Sequence, residues 1–355
     1  MIDRSQFSRR ILSGAEGNSD EALARIATAK RRIQSVLDRD TIACQKTLEQ
    51  KIAEQGPREM RVDPHLIGRA IVDLSELNRL VSNNHPATGH VGWFSNPGRA
   101  APEVTARVDF LAPLYASVSG HGFGNLSGDA LEVIVWKALR EVHTRERRFA
   151  YQGHFDLTRP KNRQGRYHRV HPPKTMGEHT TQKEGDFFQF GHAAGSLCIE
   201  CKNYREWIYP DHGVIKELII KASDLGMIPV LVARRLHYTT RNNLLYPAGI
   251  IAHESLHQYY PADHADLAAQ VRHARNLGFT DVLAIEEPHA RTRRFFSELL
   301  PSIVPAMAAK WTRNIEALVA FANDEIKLHE LYREINSPAA SSWSDDGPTP
   351  ADMDY

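Results

Sequence analysis

Two ionisable side chains stand where a short segment should bury them. The stretch GSLCIECKNY, residues 195–204, is apolar at Leu197 and Ile199, yet carries Glu200 and Lys202 in its interior. Burying an ionised group is costly unless it is paired or bound to a metal. Alternate side chains of a strand share one face, so Glu200 and Lys202 project together. Asp186 stands 14 residues before Glu200 and reaches the same face if the two segments pair as a hairpin. Two carboxylates and a lysine converging on one point suit a hard divalent cation such as Mg²⁺ or Mn²⁺, which takes oxygen ligands. A metal held there activates water and neutralises charge on a phosphodiester. The lysine then orients the water or stabilises the developing charge.

The surrounding pattern predicts the elements that must position these groups. Residues 130–142, ALEVIVWKALREV, read as a helix, and 149–157 as a strand. A basic segment follows as a loop or hairpin. Residues 186–190 and 197–202 read as two strands, 213–225 as a helix closed by Gly226, and 228–233, IPVLVA, as an apolar strand. AGIIAH adds another strand. Further on, 265–277 reads as helix, 281–285 as strand, and 295–335 as mostly helix.

Asp186, then Glu200-Cys201-Lys202, then a helix and an apolar strand resemble the PD-(D/E)xK nuclease superfamily, the restriction-endonuclease-like fold. Its members often carry a further acid on the helix before the core sheet, and Glu132 matches that position. The resemblance implies that Glu132, Asp186 and Glu200 serve Mg²⁺ or Mn²⁺, that the Cys201 carbonyl joins them, and that Lys202 is the catalytic lysine. It covers roughly residues 120–290, and Gly185 stands where the superfamily's name has proline. The long gap between Glu132 and Asp186 makes the basic segment an insertion. The implied fold class is α/β, a mixed sheet flanked by helices and preceded by a mainly helical N-terminal domain. The implied activity is metal-dependent hydrolysis of DNA, in restriction or another defence role, with repair and recombination using the same parts.

Near the motif, Lys216, Lys221, Arg234 and Arg235 are candidates for phosphate contact, with solvated surface charge as the plainer expectation. Two other patterns compete. Cys198 and Cys201 form a CxxC, but residues i and i+3 of a strand point to opposite faces, and no second CxxC exists. Packing is the expectation for both. His253, Glu254 and His257 spell HExxH, the signature of zinc metallopeptidases when it lies on a helix. The preceding AGIIAH favours a strand entering the motif, and Pro261 soon follows.

At 355 residues the chain is long enough for two domains. Three cysteines point to a reducing, cytoplasmic setting. No apolar run is long enough to predict a membrane span. The net charge of +1 announces no nucleic-acid partner, but residues 144–183 carry ten Lys/Arg against three acids, a block able to meet phosphate. Residues 20–55 read as helix. Asp63-Pro64 starts a second helix, then come SNNHPATG, a turn-rich segment, and HVGWFS, a strand-like one. This order over 20–100 resembles a winged helix-turn-helix, with the helix from Pro64 facing the major groove and residues 85–90 as the wing. The alternative is a helical packing or dimerisation domain. The expected domains are 1–118, helical and nucleic-acid-binding; 119–336, nuclease; and 337–355, an acidic disordered tail. The partner is DNA, with RNA remaining an alternative, and a homodimer would supply two sites for two strands.

Overall fold

The computed structural model describes residues 20–54 and 62–336; the expected tail at 337–355 lies outside them. The fold is mixed α/β. Contacts divide it into two compact units, Met1–Phe123 with Ala265–Val282, and Gly124–His264 with Leu283–Tyr355.

The first unit contains α1 (Asp20–Asp40), β1 (Ala43–Cys44), α2 (Gln45–Glu49) with a π-helical continuation, α3 (Pro64–Glu76), β2 (Val81–Asn83), β3 (Trp93–Ser95) and α4 (Ala101–Ser119). The helix expected over 20–55 is broken at Thr41, whose φ of 68° is a conformation that β-branched residues rarely adopt. Ala43 and Cys44 then pair with Phe94 and Trp93, closing a three-stranded sheet of order β1-β3-β2. Pro64 occupies the first turn of α3, as expected. The outward face of α3 differs from expectation. Most of its residues are buried, Arg69 and Glu76 are exposed, and Arg69 donates to Asp73 at 2.8 Å. A helix whose exposed arginine is already paired within its own surface has little cationic charge to offer a groove.

The glycine-rich break expected near residue 120 is a junction of two helices: α5 (His121–Arg145) begins directly after Gly120, the C-cap of α4. From α5 onward the second unit builds a five-stranded sheet of order β12-β11-β10-β9-β4. The strand expected over 149–157 is split at Gly153 (φ 92°) into β4 (Tyr151–Gln152) and β5 (His154–Asp156). A Cβ at Gly153 would meet the Asp186 carbonyl oxygen at 2.6 Å, so the chain passes here only as glycine. The basic segment folds as two small hairpins, β5 with β6 (His168–Val170) and β7 (Thr175–Met176) with β8 (His179–Thr180). β9 (Phe187–His192) and β10 (Gly195–Lys202) form the expected antiparallel hairpin, and β4 pairs antiparallel to β9.

The helix α6 (Gly213–Asp224) carries the chain over to β11 (Ile228–Ala233), parallel to β10. After α7 (Tyr246–Ala248), β12 (Ile251–Glu254) adds parallel to β11. Then follow β13 (Gln258–Tyr260), α8 (Ala265–Arg272) of the first unit, β14 (Val282–Ala284), α9 (Ala290–Arg294), α10 (Leu300–Ala322) and α11 (Leu328–Ile335). The core of this unit joins Phe187, Leu197, Ile199, Val230 and Val232 of the sheet to Leu131 and Ile134 of α5 and Ile215 and Ile219 of α6. Each such side chain contributes roughly 1.5–3 kcal/mol on burial. Among the described residues no helix is long and apolar enough to cross a membrane.

Candidate active site

Antiparallel pairing puts Phe187 opposite Ile199, and Asp186 directly precedes this last pair of the ladder. The Cys201 backbone N–H donates to Asp186 Oδ2 at 2.6 Å, which fixes the carboxylate at the end of the hairpin. Glu200 is buried, and its carboxylate is held between two ammonium groups, Lys202 two residues on and Lys221 from α6. Lys221 is therefore not the solvated charge its sequence context suggests; it is buried and also donates to the Glu184 carbonyl at 3.1 Å. Lys216, in contrast, reaches Asp324. Arg234 is buried and donates to the Arg205 carbonyl at 3.0 Å.

Glu132 is buried on α5, and Arg169 of β6 links it to the hairpin. The Arg169 guanidinium ion-pairs with Glu132 Oε2 and donates to Asp186 Oδ1 at 2.8 Å. One turn earlier on α5, Asp129 accepts two bonds from Arg166, at 2.9 and 2.7 Å. The matched spacing of three between Asp129 and Glu132 and between Arg166 and Arg169 clamps the basic insertion onto the helix. Sequence reasoning saw this segment only as a charge block. The repeated spacing of three was the available signal for Arg169.

The charges respond to this crowding. Burial, and then the Asp186 carboxylate, push Glu132 well above the usual range, against Arg169. Burial and Asp186 also raise Glu200, against Lys202 and Lys221. Burial alone would raise Asp186, but Lys202, Arg169 and Lys221 outweigh it and hold it low. Burial alone would lower Lys202, but Glu200 and Asp186 outweigh it, so the ammonium is held charged. Within this cluster Arg169 Nε is buried without a hydrogen bond. Among the described residues no group of three or more His, Cys, Asp or Glu converges as a ready metal-ligand set. In its place, three carboxylates, hard oxygen donors, share one arginine and two lysines.

Asn203, directly after Lys202, fastens the end of β10. Its Nδ2 donates to the Ser127 carbonyl at 2.7 Å and to the Tyr259 carbonyl at 2.6 Å, and its Oδ1 accepts from Tyr259 N at 3.1 Å. Cys198 and Cys201 are buried free thiols, and burial pushes Cys198 up to about 12. The HExxH residues do not share a helix. His253 and Glu254 lie on β12 and His257 beyond it. Glu254 accepts from the Leu236 N–H at 2.9 Å, and His253 stacks on Phe295 with centroids 4.3 Å apart. The helical spacing that would aim both histidines at one zinc is absent.

No family model, curated protein or solved structure matches the chain.

Proposed function

We propose that the second unit is a metal-dependent nuclease domain of PD-(D/E)xK type that hydrolyses DNA phosphodiester bonds. The observation that carries this is the β9–β10 hairpin, at whose end Asp186 accepts from Cys201 N–H and Glu200 pairs with Lys202. The order of elements supports it: a helix, three antiparallel strands, a helix and a parallel strand. The oxygen-only chemistry of the donors suits Mg²⁺ or Mn²⁺, although among the described residues they do not converge as a ready ligand set. Glu132, Asp186 and Glu200 offer only oxygen, and an entering ion would replace the positive charge that Arg169, Lys202 and Lys221 now supply to them. Those three side chains would hold the ion, with the Cys201 carbonyl as a fourth donor. The ion's chemistry when bound is to acidify water and to neutralise phosphoryl charge.

The chain's own residues do the rest. Lys202, held protonated by Glu200 and Asp186, is a donor and not a base; it orients water and faces charge developing on the phosphoryl oxygens. The water oxygen forms the new P–O bond, the scissile P–O bond breaks, and the leaving oxygen takes up a proton. Arg169 must withdraw from Glu132 and Asp186 for the ion to enter. In the first unit, the order helix, strand, helix, two-stranded hairpin and the β1-β3-β2 sheet support a winged-helix recognition module. The paired face of α3 moves the expected contact from that helix to the wing at residues 85–90. A recognition module beside a nuclease suits restriction or another defence role, and a homodimer would cut both strands.

A second assignment, a catalytically silent nucleic-acid-binding protein of this fold, is favoured by one observation: Arg169 already neutralises two of the carboxylates. Supercoiled plasmid incubated with the full chain in Mg²⁺, Mn²⁺ and EDTA separates the two. Nicking or linearisation in either metal, absent in EDTA, is expected of the nuclease. A gel shift with intact plasmid in all three conditions is expected of the silent binder.

A further inference from the structure

Two loops leave the carboxyl ends of β10 and β11 beside Lys202, and both are rich in flat rings. Residues 203–212 read NYREWIYPDH, and 234–241 read RRLHYTTR. They are tied together as one body. Ile208 bridges to Leu236, Ile208 N–H donates to the Arg235 carbonyl at 3.2 Å, and His237 N–H donates to the Ile208 carbonyl at 3.0 Å. Thr240 Oγ1 donates to the same Ile208 carbonyl at 2.8 Å.

The rings pack on this frame. His237 lies 4.8 Å from Tyr209 at an interplanar angle of 24°, 4.8 Å from Tyr238 and 6.1 Å from Trp207. Tyr204 sits 5.8 Å from His212. The outer members face solvent: Tyr238 is 57% exposed and Tyr204 41%. They are the exposed tyrosines among the described residues, and both stand within five residues of the strand ends that flank Lys202. Charge on the loops is modest. Arg205, Arg235 and Arg241 are offset by Glu206 and Asp211, and Arg234 is buried. A surface built to hold a duplex by its phosphates would carry a denser run of cations. Exposed rings on a rigid frame with a few arginines are the means by which proteins hold unpaired bases.

We propose that this lip is a stacking platform for unpaired nucleobases, so that the strand entering the site is single-stranded DNA. This rests on the nuclease assignment for the neighbouring cluster, and it names the substrate form. Tyr238 and Tyr204 each present a face to a base.

Fluorescence anisotropy tests this with the full chain in EDTA, so that no cleavage intervenes. The probes are a labelled single-stranded DNA oligonucleotide, its duplex, and RNA of the same sequence. Wild type is expected to prefer the single DNA strand. Tyr204→Leu and Tyr238→Leu are each expected to weaken that binding by about 5- to 150-fold, the range for loss of one stacked base, while Tyr238→Phe keeps it. Circular dichroism confirms that the variants fold, and a misfolded variant is replaced by Tyr→Gln at the same position. Unchanged binding by both leucine variants, or a preference for duplex or RNA, overturns the inference and leaves the nuclease assignment standing. No binding to any of the three probes overturns the inference, and the nuclease assignment is judged separately by cleavage in Mg²⁺ and Mn²⁺.

Discussion

Arg169 Nη2 lies 2.8 Å from Asp186 Oδ1 while the same guanidinium ion-pairs with Glu132. One side chain from the basic insertion thus joins α5 to the β9–β10 hairpin, where the proposed divalent ion would sit. Arg169→Met keeps the length of the side chain and removes its charge. Without metal, the variant leaves Glu132 and Asp186 short of a partner and should lose about 3–5 kcal/mol, the usual cost of breaking a buried pair. Mn²⁺ should bind it more tightly than wild type, on the order of tenfold, within the usual range of coupling between competing ligands. Calorimetric titration with Mn²⁺ reads the affinity, and equal affinities would show that Arg169 does not compete.

Glu200 is held by two lysines of different burial. The side chain of Lys221 is 3% exposed, and that of Lys202 is 19%. Lys221→Met should therefore destabilise the metal-free protein more than Lys202→Met, by roughly 3 kcal/mol against about 1–2 kcal/mol. Urea unfolding midpoints measure the difference. A larger loss for Lys202→Met would place the structural role on the wrong lysine.

His253 makes stability depend on pH in a direction that can be worked out. Burial, and then Arg291, lower its pKa from 6.5 to about 3. The unfolded chain therefore takes up a proton first as pH falls. The contribution of the neutral folded imidazole is complete above pH 6.5 and is lost as pH falls from 6.5 towards 3. At about 1.4 kcal/mol per pH unit the loss approaches about 5 kcal/mol. His253→Phe, which keeps a ring on Phe295, should flatten the profile between pH 6.5 and 4. Urea midpoints across that interval test it, and parallel profiles for the two proteins would contradict it.

Asn203 makes its buried bonds to Ser127 and Tyr259 through both ends of its amide. Asn203→Ala removes them and leaves partners unsatisfied, at about 1–3 kcal/mol. Asn203→Asp keeps the acceptor but turns two buried carbonyls against a carboxylate, and should cost more. Thermal unfolding of the two variants ranks them, and the reverse order would show that the amide donors carry little.

Much of the second unit was legible because its signals are local. IPVLVA is a strand at the expected residues, Gly226 closes α6, and the hairpin carrying Asp186 and Glu200 follows from two apolar runs close in sequence. The partners of the charges were not legible. Lys221 reaches Glu200 across 21 residues and Arg169 reaches Glu132 across 37, and no periodicity encodes which cation meets which acid. The helix break at Thr41 and the strand break at Gly153 were missed for a related reason. Each is imposed by a distant segment, β3 in one case and the Asp186 backbone in the other. The aromatic lip is invisible in sequence because it depends on β10 and β11 ending side by side.

The most direct test of the central claim is cleavage of supercoiled plasmid and of circular single-stranded DNA in Mg²⁺ and Mn²⁺ by wild type beside Lys202→Ala, Asp186→Asn and His253→Ala, each checked for folding. Wild type and His253→Ala should cut, and Lys202→Ala and Asp186→Asn should lose at least about 100-fold, the scale expected for removal of one transition-state charge donor. Cleavage by Lys202→Ala and Asp186→Asn at the wild-type rate would contradict the assignment of the active site to the β9–β10 hairpin.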